Sequence, residues 1–328
     1  MKPYKNDVAV LLIFFNRYEP LSKVFEQIKI ARPRELFLYQ DGPRKNNVED
    51  YDKIIKCRKI FDEIDWECNV HTFYQKENFG CDPSEYIAQK WAFSHVEKCI
   101  VLEDDDVPSQ SFFPFCKELL DKYENDTRIN MICGMNTLGK CEEINESYFF
   151  SYTGSIWGWA SWRRVIDQWD DSYSFLEDEN LLRNLKQACK HKEDFNRNLK
   201  VAKRHKSNGK AYYESINGWN TMLNSTMNII PKYNMITNIG LTADATHAVS
   251  SIQSYPKKVR QVFYRKRYEM TENLIHPKYV FEYVPYRIEV EKIFAKRNKI
   301  RLFFRRIEVI ILSLKHKTYK DILKNRKK

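Results

Sequence analysis

Four consecutive carboxylates follow a short apolar run near the middle of the chain. Residues 100–102 are isoleucine, valine and leucine, and Glu103, Asp104, Asp105 and Asp106 come directly after them. An apolar, β-branched run that stops at acids is typical of a buried strand ending in a charged loop. Adjacent anions repel one another, and oxygen ligands of this kind suit Mg²⁺ or Mn²⁺. The run therefore predicts a divalent-cation site, and the alternative is an acidic loop that simply faces water.

Two further charged residues stand at the ends of apolar runs. Arg17 follows the run at residues 8–15, and Asp41 follows the run at residues 35–40. Ligands of open α/β sheets bind outside the carboxyl ends of the strands, where these residues would meet the acids. An arginine beside carboxylates can hold a phosphate together with its counter-ion. The alternative for Arg17 is a surface arginine that pairs with a nearby acid.

Strand-like and helix-like patterns alternate through this part of the chain. Strands are predicted at residues 8–15, 35–40, 68–73 and 98–102, and helices at residues 21–30, 52–64 and 83–96. This alternation predicts an α/β fold with a parallel sheet wound by helices. The sequence contains no GxGxxG and no GxxxxGK[ST] loop, which argues against a dinucleotide enzyme and a P-loop NTPase.

An aromatic segment and a loop rich in small residues follow. Residues 151–162 carry three tryptophans in their last six positions, as often seen in the wall of a sugar or base site. A purely structural tryptophan cluster explains the composition equally well. Residues 238–247 are small and polar, which is typical of a mobile loop that closes over a ligand.

The positive charge is concentrated at the C-terminal end. The formal charge of the chain is +11, but residues 255–328 contain 22 Lys and Arg against 7 Asp and Glu, or +15, which leaves −4 for residues 1–254. Within this tail, residues 298–314 group apolar side chains around arginines, which predicts a basic amphipathic helix. Such a helix can lie on an anionic membrane surface, and the alternative is a helix whose apolar face packs on the rest of the protein. No aromatic pattern of the RNP kind accompanies the charge, so no nucleic-acid partner is expected.

Cysteine spacing and the N-terminus point to a cytoplasmic protein. The eight cysteines form no CxxC pair, which favours reduced thiols over a disulfide framework. The first residues have no signal-peptide organisation, and no stretch of 18 apolar residues predicts a membrane span.

Taken together, these segments resemble nucleotide-diphospho-sugar transferases of the GT-A fold, in particular the N-acetylglucosaminyltransferase I family and its bacterial homologues. The resemblance covers roughly residues 7–250 and rests on VAVLLIFFNR, QDGP, IVLEDDDVPSQSFF, the Trp-Gly-Trp segment and NIGLTADATHA. It implies a Rossmann-like mixed sheet flanked by helices, forming a catalytic domain at residues 1–254. Residues 255–328 would be a basic, mainly helical C-terminal extension.

The resemblance also implies roles for the acidic run. Asp105 matches the direct ligand of a divalent metal, Mn²⁺ or Mg²⁺, that bridges the donor diphosphate. Asp104 would face the ribose, and Glu103 would face the donor sugar. Asp106 lies outside the matching triplet and is expected to be dispensable.

Donor-binding residues outside the run are implied in the same way. Asp41 matches an acid that recognises the uracil edge, and Arg17 matches an arginine on the phosphates. Thr246 and His247 fall on a serine-histidine pair of the closing loop, which implies a further phosphate contact.

The catalytic base is assigned by the same comparison. In the family, a Trp-Asp-Asp-Trp segment begins eighteen residues before a proline, and its first aspartate is the base. Counting back from Pro231 gives Glu214 as the matching acid, although glutamate replaces the first aspartate and Ser215 replaces the second. Asp170 and Asp171 are the reserve candidates.

The implied activity is a metal-dependent, inverting glycosyl transfer. The donor would be a UDP-sugar, such as UDP-GlcNAc, and the acceptor a glycan or lipid-linked glycan used in polysaccharide biosynthesis. The protein would be cytoplasmic, with the tail on the inner face of the membrane. A nucleotide-sugar or glycan-binding protein with the same fold and no turnover is the alternative, because Glu214 is a substituted position.

Overall fold

The computed structural model describes residues 1–189, 191–241, 255–271, 273–294 and 299–316. Its strands are β1 (Ala9–Phe14), β2 (Glu35–Gln40), β3 (Asn69–Tyr74), β4 (Lys98–Glu103), β5 (Asp106–Pro108), β6 (Ile129–Cys133), β7 (Tyr148–Ser151), β8 (Trp159–Trp162), β9 (Met227–Pro231) and β10 (Ile236–Asn238). Its helices are α1 (Tyr18–Ala31), α2 (Glu49–Lys59), α3 (Cys81–His95), α4 (Phe112–Lys122), α5 (Arg163–Ile166), α6 (Glu179–Ala188), α7 (Lys192–Asn208), α8 (Tyr213–Leu223), α9 (Lys257–Arg260), α10 (Val284–Ile293) and α11 (Lys299–Lys315).

Eight strands form one mixed sheet in the order β3-β2-β1-β4-β8-β6-β9-β7. The first four strands of that order are parallel, as the alternation of strands and helices predicts. Beyond β4 the sheet changes character, because β8 runs antiparallel to both of its neighbours. β5 and β10 form a separate antiparallel ribbon. The chain is therefore a mixed α/β fold whose central sheet is flanked by helices.

Strand β1 shows why its sequence is continuously apolar. Val10 and Leu12 belong to the hydrophobic layer on one face of the sheet, and Leu11 and Ile13 belong to the layer on the other. All four side chains are buried, because helices cover both faces. A strand covered on both sides cannot alternate with polar residues, so the run has the composition expected of a central strand.

The tryptophan segment is largely part of this core. Trp159 and Trp162 lie on β8, in the middle of the sheet, and both are buried. Trp157 is half-buried and packs against Phe263, with ring centroids 4.8 Å apart. The structural interpretation of the segment therefore applies to Trp159 and Trp162.

The C-terminal residues contact the sheet. Tyr286 and Val290 of α10 are buried in one of the two core layers, and Tyr283 N donates a hydrogen bond to Phe150 O of β7. No helix in the described part of the chain is both long enough and apolar enough to cross a bilayer.

Candidate functional site

Three parallel strands end together at one edge of the sheet. Leu12 of β1 lies opposite Leu38 of β2 and Leu102 of β4, so these strands run in register. The loops after them therefore start side by side, which is the usual position of a ligand site in an α/β sheet.

A cavity of about 860 Å³ opens at this edge. Four of the residues singled out in the sequence line it: Arg17, Asp41, Glu103 and Asp104. Its size lies in the range that holds a nucleotide-sized ligand. Asp105 is not one of the lining residues and contacts the site through Arg17.

Arg17 binds the acidic run directly. Its Nη2 lies 2.6 Å from Asp105 Oδ2 and also hydrogen-bonds Asp104 Oδ1. Burial disfavours the charged guanidinium, but the two carboxylates outweigh burial and raise the pKa of Arg17. Arg17 is therefore charged and stands where a positive group is needed between Asp104 and Asp105.

The ribbon of β5 and β10 fixes the end of the acidic run. Asn238 Nδ2 donates to Asp105 Oδ1 at 2.8 Å and to Asp106 Oδ1 at 3.0 Å. A Cβ at Gly240 would lie 2.1 Å from Asp105 Oδ2, so only glycine permits this approach of the backbone. The start of the segment at residues 238–247 thus lies against Asp105.

The expectation that Asp106 is dispensable for function stays a prediction, but the structure gives this residue a role in the fold. Its side chain is fully buried, and it accepts hydrogen bonds from Asn238 and, at 2.9 Å, from the backbone N–H of Gly158. It therefore joins β5 to β10 and to the turn before β8. Removing a buried acceptor leaves its donors unpaired, which is costly to the fold.

The carboxyl groups of the acidic run outnumber the single arginine that pairs with them. Burial and the neighbouring carboxylates raise the pKa of Glu103 and Asp106 well above the usual range. Burial likewise raises the pKa of Asp104 to about 6, even though Arg17 opposes the shift. The ion pairs of the run in the described residues are with Arg17 alone, which leaves at least one carboxylate charge without a partner cation.

The described residues contain no group of three His, Cys, Asp or Glu side chains arranged to hold a metal ion. Mg²⁺ and Mn²⁺ are commonly held by one or two carboxylates, with substrate phosphates and water completing the shell. Asp105 and Asp104 supply such carboxylates beside the cavity, and their charge is not fully compensated. The donor set therefore fits a divalent ion that arrives with a phosphate ligand.

Asp41 is engaged in holding a loop. Its Oδ1 accepts the N–H groups of Gly42 and Phe79, and its Oδ2 accepts the N–H of Gly80 and the side-chain amide of Asn78. These four bonds fix the turn that leads into α3. Asp41 thus shapes the cavity wall.

Glu85 is a site residue that sequence reasoning missed. It lies one turn into α3, is buried, and lines the cavity. Cys81 Sγ donates to its Oε1 at 3.1 Å. Burial, followed by the charges of Asp82 and Glu214, raises the pKa of Glu85 to about 8. The sequence offered one signal, which is the position of Glu85 within the helix predicted at residues 83–96. A glutamate on the face of a helix that packs against a sheet is unusual and can indicate a functional site.

Stability should fall as pH rises, in a way that depends on Glu85. Because its pKa is raised in the folded state, the native protein keeps a proton that the unfolded chain releases above about pH 4.3. The free energy of unfolding should therefore decline between about pH 5 and pH 8, by at most about 1.4 kcal/mol per pH unit for this group. Glu85→Gln should reduce the decline of the melting temperature across that interval, and the part that remains would come from the other buried acids with raised pKa, Glu103, Asp104 and Asp106.

The matched control is Glu67→Gln, which changes an exposed glutamate far from the cavity. It should leave the pH profile of the melting temperature as it is in the unaltered protein. An identical slope for Glu85→Gln and the unaltered protein would contradict the assignment of a protonated Glu85.

Tyr213 lies next to the same acids. Its side chain is completely buried, and its Oη has no hydrogen-bond partner in the described residues. Burial first, then the charges of Glu103 and Glu85, raise the pKa of this hydroxyl. A buried hydroxyl without a partner is costly, and Tyr213 is not one of the residues that line the cavity.

Glu214 stands in the first turn of α8. Its side chain is exposed and does not line the cavity. Its charge contributes to raising the pKa of Glu85 and of Tyr213. Glu214 is therefore within electrostatic range of Glu85 and Tyr213 but outside the cavity lining.

The two reserve acids differ from each other. Asp170 accepts hydrogen bonds from Ser172 and Ser174, which outweigh burial and lower its pKa. Asp170 therefore holds a local turn. Asp171 is exposed, and its charge adds to burial in raising the pKa of the Tyr86 hydroxyl. Thr246 and His247, the predicted phosphate contacts of the closing loop, lie outside the described residues.

No protein-family model and no curated protein matches this chain. Among solved structures, the chain is similar to HddC from Yersinia pseudotuberculosis, at 11% identity over 49% of this chain and 79% of that one, with a TM-score of 0.28. It is also similar to the inositol-1-phosphate CTP transferase from T. maritima, at 9% identity over 57% and 84% of the two chains, with a TM-score of 0.32. Similarity this low carries no argument about function, which rests on the residues of the site.

Proposed function

We propose that this protein is a metal-dependent, inverting glycosyltransferase with a GT-A-type sheet. It would move a hexosyl or N-acetylhexosaminyl group from a UDP-sugar to a glycan or lipid-linked glycan acceptor. The observation that carries the proposal is the cavity at the strand ends, where buried carboxylates in excess meet a charged arginine.

The cavity has the polarity that a nucleoside diphosphate requires. Arg17, Arg44, Lys53 and Lys56 line it together with the acids. Cations stabilise the diphosphate and the charge that grows on it as the sugar leaves. Without a cation the carboxylates would repel a bound diphosphate. A divalent ion between the carboxylates and the diphosphate would remove this repulsion.

Asp105 would be the direct ligand of such an ion, with Asp104, which lines the cavity, beside it. When bound, Mn²⁺ or Mg²⁺ would act as a Lewis acid on the diphosphate oxygens. Arg17 already contacts both carboxylates and, on donor binding, would hold a phosphate oxygen with the same guanidinium. Glu103 lines the cavity and would meet the donor sugar.

Proton transfer would fall to Glu214. The acceptor hydroxyl would attack the anomeric carbon from the face opposite the diphosphate, the bond to the diphosphate would break, and the configuration would invert. Glu214 would take the hydroxyl proton as general base. Its exposed carboxylate in the first turn of α8 is close enough to Glu85, which lines the cavity, for its charge to raise the pKa of Glu85.

One observation favours binding without turnover as the second candidate. Glu214 does not line the cavity, whereas Arg17, Asp41, Glu103 and Asp104 do. Binding of a nucleotide sugar in the cavity would not require Glu214. Release of UDP from a UDP-sugar in the presence of Mn²⁺ separates the enzyme from the binding protein.

A ligand screen tests the donor class. UDP and UDP-sugars should raise the melting temperature in the presence of Mn²⁺ and much less in EDTA, because ligands that bind the native state stabilise it by mass action. CDP-sugars, GDP-sugars and NAD⁺ serve as matched controls. A shift produced equally by all of them, or equally with and without metal, would contradict a metal-dependent UDP-sugar site.

A further inference from the structure

Helix α11 carries an apolar stripe that faces away from the protein. Its apolar side chains recur every three or four residues and so share one side of the helix: Ile300, Phe303, Phe304, Ile307, Ile310, Ile311 and Leu314. All of them except the half-buried Ile307 are between 52% and 69% exposed. With 17 residues the helix is about 25 Å long, so the stripe is a long continuous apolar surface.

The opposite side of α11 is attached to the protein. Arg305 Nη2 donates to Ile293 O of α10 at 2.9 Å, and Glu308 Oε1 accepts the N–H of Lys257 of α9 at 2.9 Å. Ser313, on the same side as Arg305, is buried. These contacts fix which side of the helix is turned outward, so the exposure of the stripe follows from the docking of α11.

The charge around the stripe indicates its occupant. Residues 299–315 contain five Lys and Arg and one acid, and residues 255–328 together carry +15. Two copies of so basic a surface would repel each other if their stripes were paired. An anionic bilayer surface attracts the cations and buries the apolar side chains at once.

We propose that α11 docks the protein on an anionic lipid bilayer, lying in the interface with Phe303 and Phe304 among the acyl chains. The exposed cations beside the stripe, Arg306 and Lys315, would meet the lipid phosphates. A helix in this position would hold the cavity near a lipid-linked acceptor, although the docking itself is independent of whether the protein transfers sugar.

Vesicle co-sedimentation of the full chain tests the proposal. The protein should pellet with vesicles of phosphatidylcholine and phosphatidylglycerol, pellet weakly with phosphatidylcholine alone, and release as salt is added. Phe303→Ser with Phe304→Ser should weaken binding by roughly tenfold or more, because two exposed aromatic anchors are lost. Arg306→Glu should weaken it on anionic vesicles.

The matched control replaces two exposed apolar residues outside the extension, Val48→Ser with Tyr51→Ser, and should bind as the unaltered protein does. Since Phe303 and Phe304 are exposed, their replacement should leave the melting temperature and any release of UDP in solution unchanged. Equal binding by the Phe303 and Phe304 variant would overturn the proposal. So would a concentration-dependent dimer that this variant abolishes without any vesicle binding, because the stripe would then belong to a second copy.

Discussion

Replacing Glu214 by glutamine should lower kcat by roughly 100- to 10,000-fold while leaving the KM for the UDP-sugar nearly unchanged. Glutamine keeps the size and the hydrogen-bonding oxygen of the side chain but cannot accept the proton of the acceptor hydroxyl. The donor contacts assigned to Arg17 and Glu103 are untouched by this change. Initial rates of UDP release at varied donor and acceptor concentrations measure both constants.

The control for this variant is Glu179→Gln. Glu179 is also an exposed glutamate in the first turn of a helix, so its replacement reproduces the loss of an acid at a helix N-terminus. Its kcat should equal that of the unaltered protein. A near-normal kcat for Glu214→Gln would move the base to Asp171, because the carboxylate of Asp170 is occupied by Ser172 and Ser174.

Replacing Asp105 by asparagine should reduce both donor hydrolysis and transfer, by on the order of 100-fold or more. The neutral amide is a poor ligand for a hard divalent ion, so the diphosphate would lose its Lewis acid. EDTA should reduce the unaltered protein to the same level. The rise in melting temperature that UDP produces with Mn²⁺ should disappear in the variant.

Asp126→Asn is the matched control for the loss of an arginine partner. Asp126 pairs with Arg128 at 2.6 Å, the same separation as the pair of Asp105 and Arg17, but its arginine does not line the cavity, whereas Arg17 does. Its activity and response to Mn²⁺ should be normal. Full activity of Asp105→Asn in EDTA would remove the metal from the mechanism.

Sequence reasoning placed the parallel part of the sheet well. The apolar runs at residues 8–15, 35–40 and 98–102 coincide with β1, β2 and β4 to within one or two residues. A strand buried on both faces carries its signal in an unbroken apolar run, whatever the rest of the chain does. The positions of Arg17 and Asp41 at one edge followed from the parallel direction of these strands.

Other elements depended on tertiary contacts. The strongly charged stretch at residues 179–205 has the composition of a single long helix but is divided between α6 and α7. Strand β8 was not predicted, because the tryptophans of the aromatic segment suggested the wall of a sugar site. In the structure β8 lies between β4 and β6, and its two tryptophans, Trp159 and Trp162, are buried. Local composition cannot tell an aromatic side chain in a wall from one in a core.

The sequence by itself determined which acids, which arginine and which strand ends could form a site, because residue type and strand direction are local properties. Only the tertiary structure decided which of those acids line the cavity and which are buried as hydrogen-bond acceptors. Asp106 became a buried acceptor for Gly158 and Asn238, and Glu85 entered the cavity from a helix far from the acidic run. Burial and hydrogen-bond partners come from residues distant in the chain, so no pattern within the run could reveal them.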